Sequence, residues 1–265
     1  MWYGWITINL LDMRAKPDYH SERVSQVRFS EIVHVSKKQA GFVLVKQSDG
    51  YSGWVDQRFV LPIQTNNAID DYYQSQNYVV ISSQARVYDS SGQCVPPYLL
   101  YYGTYLSVES IAEGDAQLGL PHQSNLFIKG KHLRPIDDSK RKMVTGTRLV
   151  AEAVKFLGVP YLWGGVGPLG FDCSGLVQSV CRSYAIELPR DTKDQITIGR
   201  EVQREHIKSG DLLFFHRHVA LAINRYHFIH ASRGSGGIRI ESFFGGDPNY
   251  RVDLDREFVQ ARRIL

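Results

Sequence analysis

The pattern of apolar and polar positions changes character near residue 140 of this 265-residue chain. Before that point, apolar residues come in short alternating runs such as Ile32-Val33-His34-Val35 and Phe42-Val43-Leu44-Val45. Alternation predicts half-buried strands, and short, evenly spaced strands are typical of small antiparallel barrels. We place a first all-β domain at residues 1–62 and a second, with weaker alternation, at residues 63–140.

After residue 140 the apolar residues follow helical spacing instead. The stretch from Thr147 to Leu157 predicts one helix, with Thr147 as its cap, and Asp172 is positioned to cap a second helix. Strand-like runs then lie between Asp211 and Ser242. Helices followed by strands predict an α+β domain with an antiparallel sheet, which we place at residues 141–265.

The second predicted helix begins with Cys173. Backbone N–H groups and the positive end of the helix dipole stabilise a thiolate there, so we expect the pKa of this thiol to be lowered from about 8.5. Downstream, His218 and His230 lie in strand-like runs. A hairpin centred on Asn224 would make these two histidines direct cross-strand neighbours.

These residue types suit acyl transfer. In that hypothesis Cys173 attacks a carbonyl, His218 acts as the base, and His230 orients the imidazole of His218. The backbone N–H of Cys173 and the hydroxyl of Tyr161 are candidate donors to the oxyanion. A zinc site is the alternative use of one cysteine and two histidines, but no Cys-x-x-Cys pair supports it, so we predict no metal and no cofactor.

The same residues resemble the signature of the NlpC/P60 cysteine peptidases, over about residues 145–263. The segments that carry the resemblance are Pro160–Gly165, Phe171–Val177, Gly210–Phe215, His218–Ala220 and Phe228–Ser232. That family has a papain-like fold and cleaves bacterial cell-wall peptides. The resemblance implies that Cys173 is the nucleophile, His218 the base and His230 the third polar residue. Ala220 departs from the family, which usually has glycine there.

The N-terminal region resembles bacterial SH3-like domains. Gly50-Tyr51-Ser52-Gly53-Trp54 matches the Gly-Tyr-x-Gly-Trp pattern of a three-domain subgroup, the γ-D-glutamyl-L-diamino acid endopeptidases. The resemblance implies that Tyr51 reaches the active-site cleft and that Glu22, with Glu31 as the fallback, helps to bind a free ammonium group. By motif position, it also implies substrate contacts from Trp163, Asp172, Ser174, Asp191 and Thr192.

The expected fold is therefore a papain-like α+β catalytic domain preceded by two small all-β SH3-like barrels. The expected enzyme is a cysteine endopeptidase that hydrolyses the γ-D-glutamyl-L-diamino acid bond of murein peptides with a free N-terminal L-alanine, in peptidoglycan recycling. The expected partner is that small peptide. The sequence leaves open whether the diamino acid is lysine or diaminopimelate.

Composition and charge indicate which partners and which cellular compartment to expect. The net charge is only +4 and the basic residues are scattered, which disfavours nucleic-acid binding. No apolar run approaches the roughly 18 residues of a membrane span, and the first residues lack a leader pattern. Cys173 and Cys181 would lie roughly 12 Å apart on one helix, too far to pair. We expect a cytoplasmic monomer without membrane or nucleic-acid partners.

Three alternatives stay open. A wall-lytic hydrolase would act on intact peptidoglycan and use its SH3-like domains as anchors. A non-catalytic protein would use the same modules to hold peptides. An acyltransferase on the same fold would need an acceptor other than water.

Overall fold

The computed structural model describes residues 1–64, 67–120, 123–137 and 143–265. The chain divides into two compact units, residues 1–137 and residues 138–265. The predicted domain boundary between residues 140 and 141 lies outside the described residues, and the three-domain division stays a prediction. In the described ranges, no helix has both the length and the apolar character needed to cross a membrane.

Within its described residues, the first unit begins with a seven-stranded antiparallel sheet. Its strands are β1 (Trp2–Ile6), β2 (Leu10–Arg14), β3 (Arg23–Arg28), β4 (Ile32–Gln39), β5 (Phe42–Lys46), β6 (Ser52–Asp56) and β7 (Val60–Pro62). They are ordered β3-β2-β6-β5-β4-β1-β7. Apolar side chains from these strands, among them Met13, Val33 and Val45, form one buried cluster.

A second sheet of seven strands follows in the described part of the same unit. Its strands are β8 (Gln76–Val80), β9 (Gln84–Tyr88), β10 (Cys94–Tyr101), β11 (Tyr105–Ala112), β12 (Asp115–Leu120), β13 (Gln123–Lys129) and β14 (Leu133–Pro135). Their order, β10-β9-β13-β12-β11-β8-β14, repeats that of the first sheet strand for strand. The two sheets therefore have one topology in common.

Helix α1 (Asn67–Ser75) connects the two sheets and joins their cores. The ring of Tyr72 packs edge-on against Trp5 with 4.5 Å between ring centroids, and its hydroxyl lies 2.5 Å from the hydroxyl of Ser30. Trp5, Phe29 and Ile32 of the first sheet belong to the same buried cluster as the interior of the second. Burial of this shared apolar surface stabilises both sheets together.

The second unit packs helices against an antiparallel sheet. Its helices are α2 (Gly146–Val154), α3 (Cys173–Arg182), α4 (Thr192–Gln195) and α5 (Val252–Glu257). Its strands are β15 (Val166–Gly167), β16 (Gly170–Phe171), β17 (Arg200–Val202), β18 (Leu212–Phe215), β19 (His218–Ala222), β20 (His227–Ser232), β21 (Gly237–Ser242) and β22 (Phe258–Arg263). Strands β17 to β22 form one sheet in the order β17-β22-β18-β19-β20-β21.

The start of helix α2 differs from its prediction. Thr145, rather than Thr147, is the N-cap, and its hydroxyl accepts the backbone N–H of Arg148 at 3.4 Å. Thr147 already lies inside the helix. The predicted fold class is nevertheless confirmed, because a strand-rich region precedes a unit in which helices pack against an antiparallel sheet.

Candidate active site

Asp172 caps helix α3, as the sequence predicts. Its backbone is extended and its Oδ1 accepts the N–H of Gly175 at 2.7 Å, so the helix begins at Cys173. A Cβ atom on Gly175 would lie 2.1 Å from the carbonyl oxygen of Gly165. Only glycine permits this close approach, which fixes the first turn of the helix beneath the preceding loop.

The Cys173 thiol is nearly buried, with 8% of the residue exposed. Its sulfur lies 3.9 Å from the hydroxyl oxygen of Thr192. Burial, and then the negative charge of Asp172, raise the pKa of this thiol; hydrogen bonds with Val219, Thr192 and Ser174 oppose the change without reversing it. The predicted lowering of this pKa is therefore wrong. The free protein holds a neutral thiol, and a base must remove its proton.

His218 and His230 form a close pair beside that thiol. Nε2 of His218 lies 2.7 Å from Nδ1 of His230, and the ring centroids are 4.9 Å apart. The Val219 backbone contact with the Cys173 sulfur places the nucleophile next to the residue that follows His218. Burial, and then the neighbouring His230 and Arg251, lower the pKa of His218. Its imidazole is therefore neutral at neutral pH, the form that accepts a proton.

The hairpin that carries these histidines differs in register from the prediction. Ala222 pairs with Phe228, so the turn centres on Arg225 rather than on Asn224. The side-chain oxygen of Asn224 accepts the backbone N–H groups of Tyr226 and His227, at 2.8 and 2.9 Å, and this turn lengthens the loop. The partner of each residue moves by two positions, which leaves both histidines on the same face of the sheet.

Tyr161 lies near the nucleophile. It forms an isolated bridge with Phe171, two residues before Cys173. Burial, and then the neighbouring Cys173 and Asp172, raise the pKa of the Tyr161 phenol. The hydroxyl therefore keeps its proton and is available as a donor, which suits the predicted oxyanion contact; the role itself stays a prediction.

Two other predicted contact residues meet at a buried arginine. Arg190 donates to Oδ1 and Oδ2 of Asp172 at 3.1 and 2.5 Å, and to the hydroxyl of Ser174 at 2.8 Å. The Gly164 N–H also binds Asp172, at 2.9 Å. The carboxylate of Asp172 thus holds the loop and helix together, and its predicted contact with substrate stays a prediction. Arg190 directly precedes two predicted contact residues, Asp191 and Thr192, but the sequence does not indicate its role.

The remaining predicted substrate contacts belong to both units, and each is described within its own unit. Trp163 is 58% exposed, and Asp191 occupies the N-cap position of α4 without a side-chain capping bond. In the first unit, Glu22 is exposed before β3, and the half-buried Tyr51 packs on the first core. The fallback, Glu31, accepts Gln47 Nε2 at 3.0 Å. Their approach to a substrate stays a prediction.

A carboxylate that the sequence does not indicate lies next to His230. Oε2 of Glu241 lies 2.8 Å from Nε2 of His230. Burial alone would raise the pKa of Glu241, but its contacts with His230, Ser235 and Arg251 outweigh burial and lower the pKa to about 2. Glu241 lies in a strand whose alternating sequence is typical of a solvent-facing glutamate. Its contact with His230 depends on the pairing of β20 with β21, so the sequence alone does not predict it.

A thiol at a helix N-terminus, beside a close histidine pair on an antiparallel sheet, defines a cysteine peptidase site of the papain type. Residues 158–256 match the NlpC/P60 family, and residues 9–60 match the bacterial SH3 domain. The chain therefore contains an NlpC/P60 cysteine peptidase domain preceded by a bacterial SH3 domain.

Characterised relatives span most of the chain. It is 29% identical over 245 residues to the γ-D-glutamyl-L-lysine dipeptidyl-peptidase of Bacillus subtilis, covering 82% of this chain and 74% of that protein. It is 25% identical over 254 residues to dipeptidyl-peptidase 6 of Lysinibacillus sphaericus, covering 92% and 93%. The crystal structure of an NlpC/P60 family protein from Bacillus cereus, 22% identical, covers 99% of both chains with a TM-score of 0.86, which establishes the fold.

Proposed function

We propose that this cysteine peptidase hydrolyses the γ-D-glutamyl-L-diamino acid bond of murein peptides that carry a free N-terminal L-alanine. The observation that carries the proposal is the close pair of His218 and the buried His230, next to the Cys173 thiol, together with the names of the relatives. Because the Bacillus subtilis relative is named for lysine, lysine is the proposed diamino acid.

The proposed reaction begins with two neutral groups. Nε2 of His218 is engaged by His230, so Nδ1 is the ring nitrogen left to take the thiol proton. The sulfur of Cys173 then attacks the γ-carbonyl carbon, and the carbonyl oxygen becomes an oxyanion that the Cys173 N–H and the Tyr161 hydroxyl stabilise. The imidazolium of His218 gives its proton to the departing amine of the diamino acid.

The second half of the reaction restores the enzyme. The acyl group is now a thioester on Cys173. A water molecule loses a proton to His218 and attacks the thioester carbon, and the sulfur leaves and regains a proton. The products are the L-alanyl-γ-D-glutamic acid dipeptide and the free diamino acid. Atoms balance with one water consumed per bond cleaved.

Selectivity for a free N-terminus requires anionic partners for a desolvated ammonium group. We propose that the carboxylates of Glu22 and Asp172 bind the ammonium group and that Tyr51 contacts the same end of the peptide. The rest of the peptide is proposed to contact Trp163, Ser174, Asp191 and Thr192. We further propose that the enzyme acts as a cytoplasmic monomer in the recycling of murein peptides.

Mass analysis of the products from free and N-acetylated L-Ala-γ-D-Glu-L-Lys tests this function. We expect cleavage of the free tripeptide and none of the acetylated one. Equal cleavage of both would overturn the amine requirement, and release of peptides from intact sacculi would favour the wall-lytic alternative. The Cys173→Ala variant, with an unchanged melting temperature and no turnover, is the control for the nucleophile.

A further inference from the structure

Nε2 of His230, the ring nitrogen that does not face His218, also has a neighbour. His230 is 1% exposed, and its Nε2 lies 2.8 Å from a carboxylate oxygen of Glu241. The two atoms are within hydrogen-bond distance, although they are not aligned as a hydrogen bond. Phe228 pairs with Glu241 across β20 and β21, which puts Glu241 and His230 on the same face, two positions apart.

Glu241 is itself fixed from the other side. Its Oε1 accepts the Ser235 hydroxyl at 2.6 Å, and its Oε1 and Oε2 accept Arg251 Nη1 at 2.9 and 2.7 Å. Arg251 Nη2 in turn donates to Asp253 at 2.6 Å. A carboxylate held by a guanidinium and a hydroxyl, and only 8% exposed, presents a permanent acceptor to His230.

Because Glu241 can only accept, it determines which ring nitrogens of His230 and His218 carry protons. The tautomer of His230 that places its proton on Nε2, toward the carboxylate, leaves a lone pair on Nδ1. Nδ1 of His230 must then accept from Nε2 of His218 across their 2.7 Å contact. A neutral His218 protonated on Nε2 has a bare Nδ1, which is the form that can take the proton of the Cys173 thiol.

We propose that Glu241 is a positioning residue that selects the base-competent tautomer of His218 through His230. Arg251 and Ser235 keep the carboxylate in place. The inference rests on the thiol and imidazole chemistry of the proposed function. It adds a carboxylate and its guanidinium partner to the three residues that the motifs identify.

The test compares Glu241→Gln with Asp253→Asn. Both changes remove one carboxylate that contacts Arg251, but only Glu241 faces His230. The amide introduced by Glu241→Gln can turn its NH₂ group toward His230, which permits the opposite proton arrangement and leaves Nδ1 of His218 protonated. We expect kcat/KM for the free tripeptide to fall by about 10- to 100-fold in Glu241→Gln, as for other lost carboxylate–histidine contacts, and to stay near wild type in Asp253→Asn.

Imidazole ¹⁵N shifts of the full-length protein, without substrate, report the tautomers directly. Signals are assigned from variants that lack one of the two histidines. In the wild type we expect His218 and His230 both protonated on Nε2, and in Glu241→Gln we expect a mixture. A wild-type His218 protonated on Nδ1 would overturn the proposal, whether or not the variant folds.

Two further outcomes decide the matter. Wild-type kcat/KM and tautomers in Glu241→Gln would overturn the inference, and so would lost activity with a lower melting temperature and unchanged tautomers, which is a purely structural role. The nitrogen shifts need no substrate. If the wild type fails to cleave the tripeptide, the proposed function falls while the tautomer measurement still tests Glu241.

Discussion

Arg190 and Asp172 form a bidentate ion pair directly beneath the nucleophile, with contacts of 3.1 and 2.5 Å. Both residues are at most 5% exposed. Because Asp172 also caps the helix that begins at Cys173, the pair fixes where the sulfur lies. A guanidinium matches a carboxylate through two parallel bonds, which a lysine does not.

Removing one partner of this pair should therefore be costly. We expect Arg190→Ala to lower the free energy of unfolding by about 3–5 kcal/mol, because it leaves Asp172 buried without its cation. Denaturant unfolding measures the change. Arg148→Ala, at an exposed position on α2, is the matched control and should change stability by less than about 0.5 kcal/mol. Equal effects in the two variants would show that the buried pair has no special role.

Alkylation tests the state of the Cys173 thiol at rest. The raised pKa means that thiolate is scarce at neutral pH, so the rate of modification by iodoacetamide should rise about tenfold per pH unit from pH 6 to 8. Mass spectrometry of the modified peptide gives the rate. Cys181, whose pKa burial raises to about 12, should stay unmodified in the folded protein. A fast rate that is constant over this range would instead indicate a preformed thiolate–imidazolium pair.

The acid limb of activity should lie at unusually low pH. His218 must be neutral to act as the base, and burial lowers its pKa below the ordinary value of about 6.5. We therefore expect kcat/KM to be maintained as pH falls through 6.5 and to decline only at lower pH. A pH profile on the free tripeptide measures this, with unfolding monitored in parallel. A half-maximal point at or above pH 6.5 would contradict it.

Stability should respond to acid through Glu241. Its pKa is about 2 in the folded protein and about 4.5 when unperturbed, so the unfolded state takes up protons first as the pH falls. The stabilisation is present above pH 4.5 and is lost between pH 4.5 and 2. Urea midpoints across this range should fall less steeply for Glu241→Gln than for the wild type. Parallel curves would exclude the contribution.

The Tyr161 hydroxyl should matter for turnover more than for binding. Removing one oxyanion donor typically lowers kcat by about 10²- to 10³-fold, so Tyr161→Phe should reduce kcat within that range and leave KM nearly unchanged. Tyr226→Phe, in the exposed turn between β19 and β20, is the control. If kcat of Tyr161→Phe equals that of the control, another group stabilises the oxyanion.

Local signals predicted most of the fold and the centre of the site. Asp172 before a helical pattern predicts the cap, and His218 and His230 share a face under either hairpin register, because a shift of two positions preserves sidedness. The predicted lowering of the Cys173 pKa was wrong because the burial of the thiol depends on tertiary packing, which its position at a helix N-terminus does not reveal. Glu241 was missed for a related reason, since its contact with His230 exists only once β21 pairs with β20.

The continuous core of the first unit limits where the chain can be truncated. Trp5, Phe29 and Ile32 pack against Tyr72 and the interior of the second sheet, so cutting the chain after residue 62 would expose these side chains to water. Such a fragment would have a large exposed apolar surface and would tend to aggregate. Swapping or deleting modules in this part of the chain should therefore treat residues 1–137 as one indivisible piece.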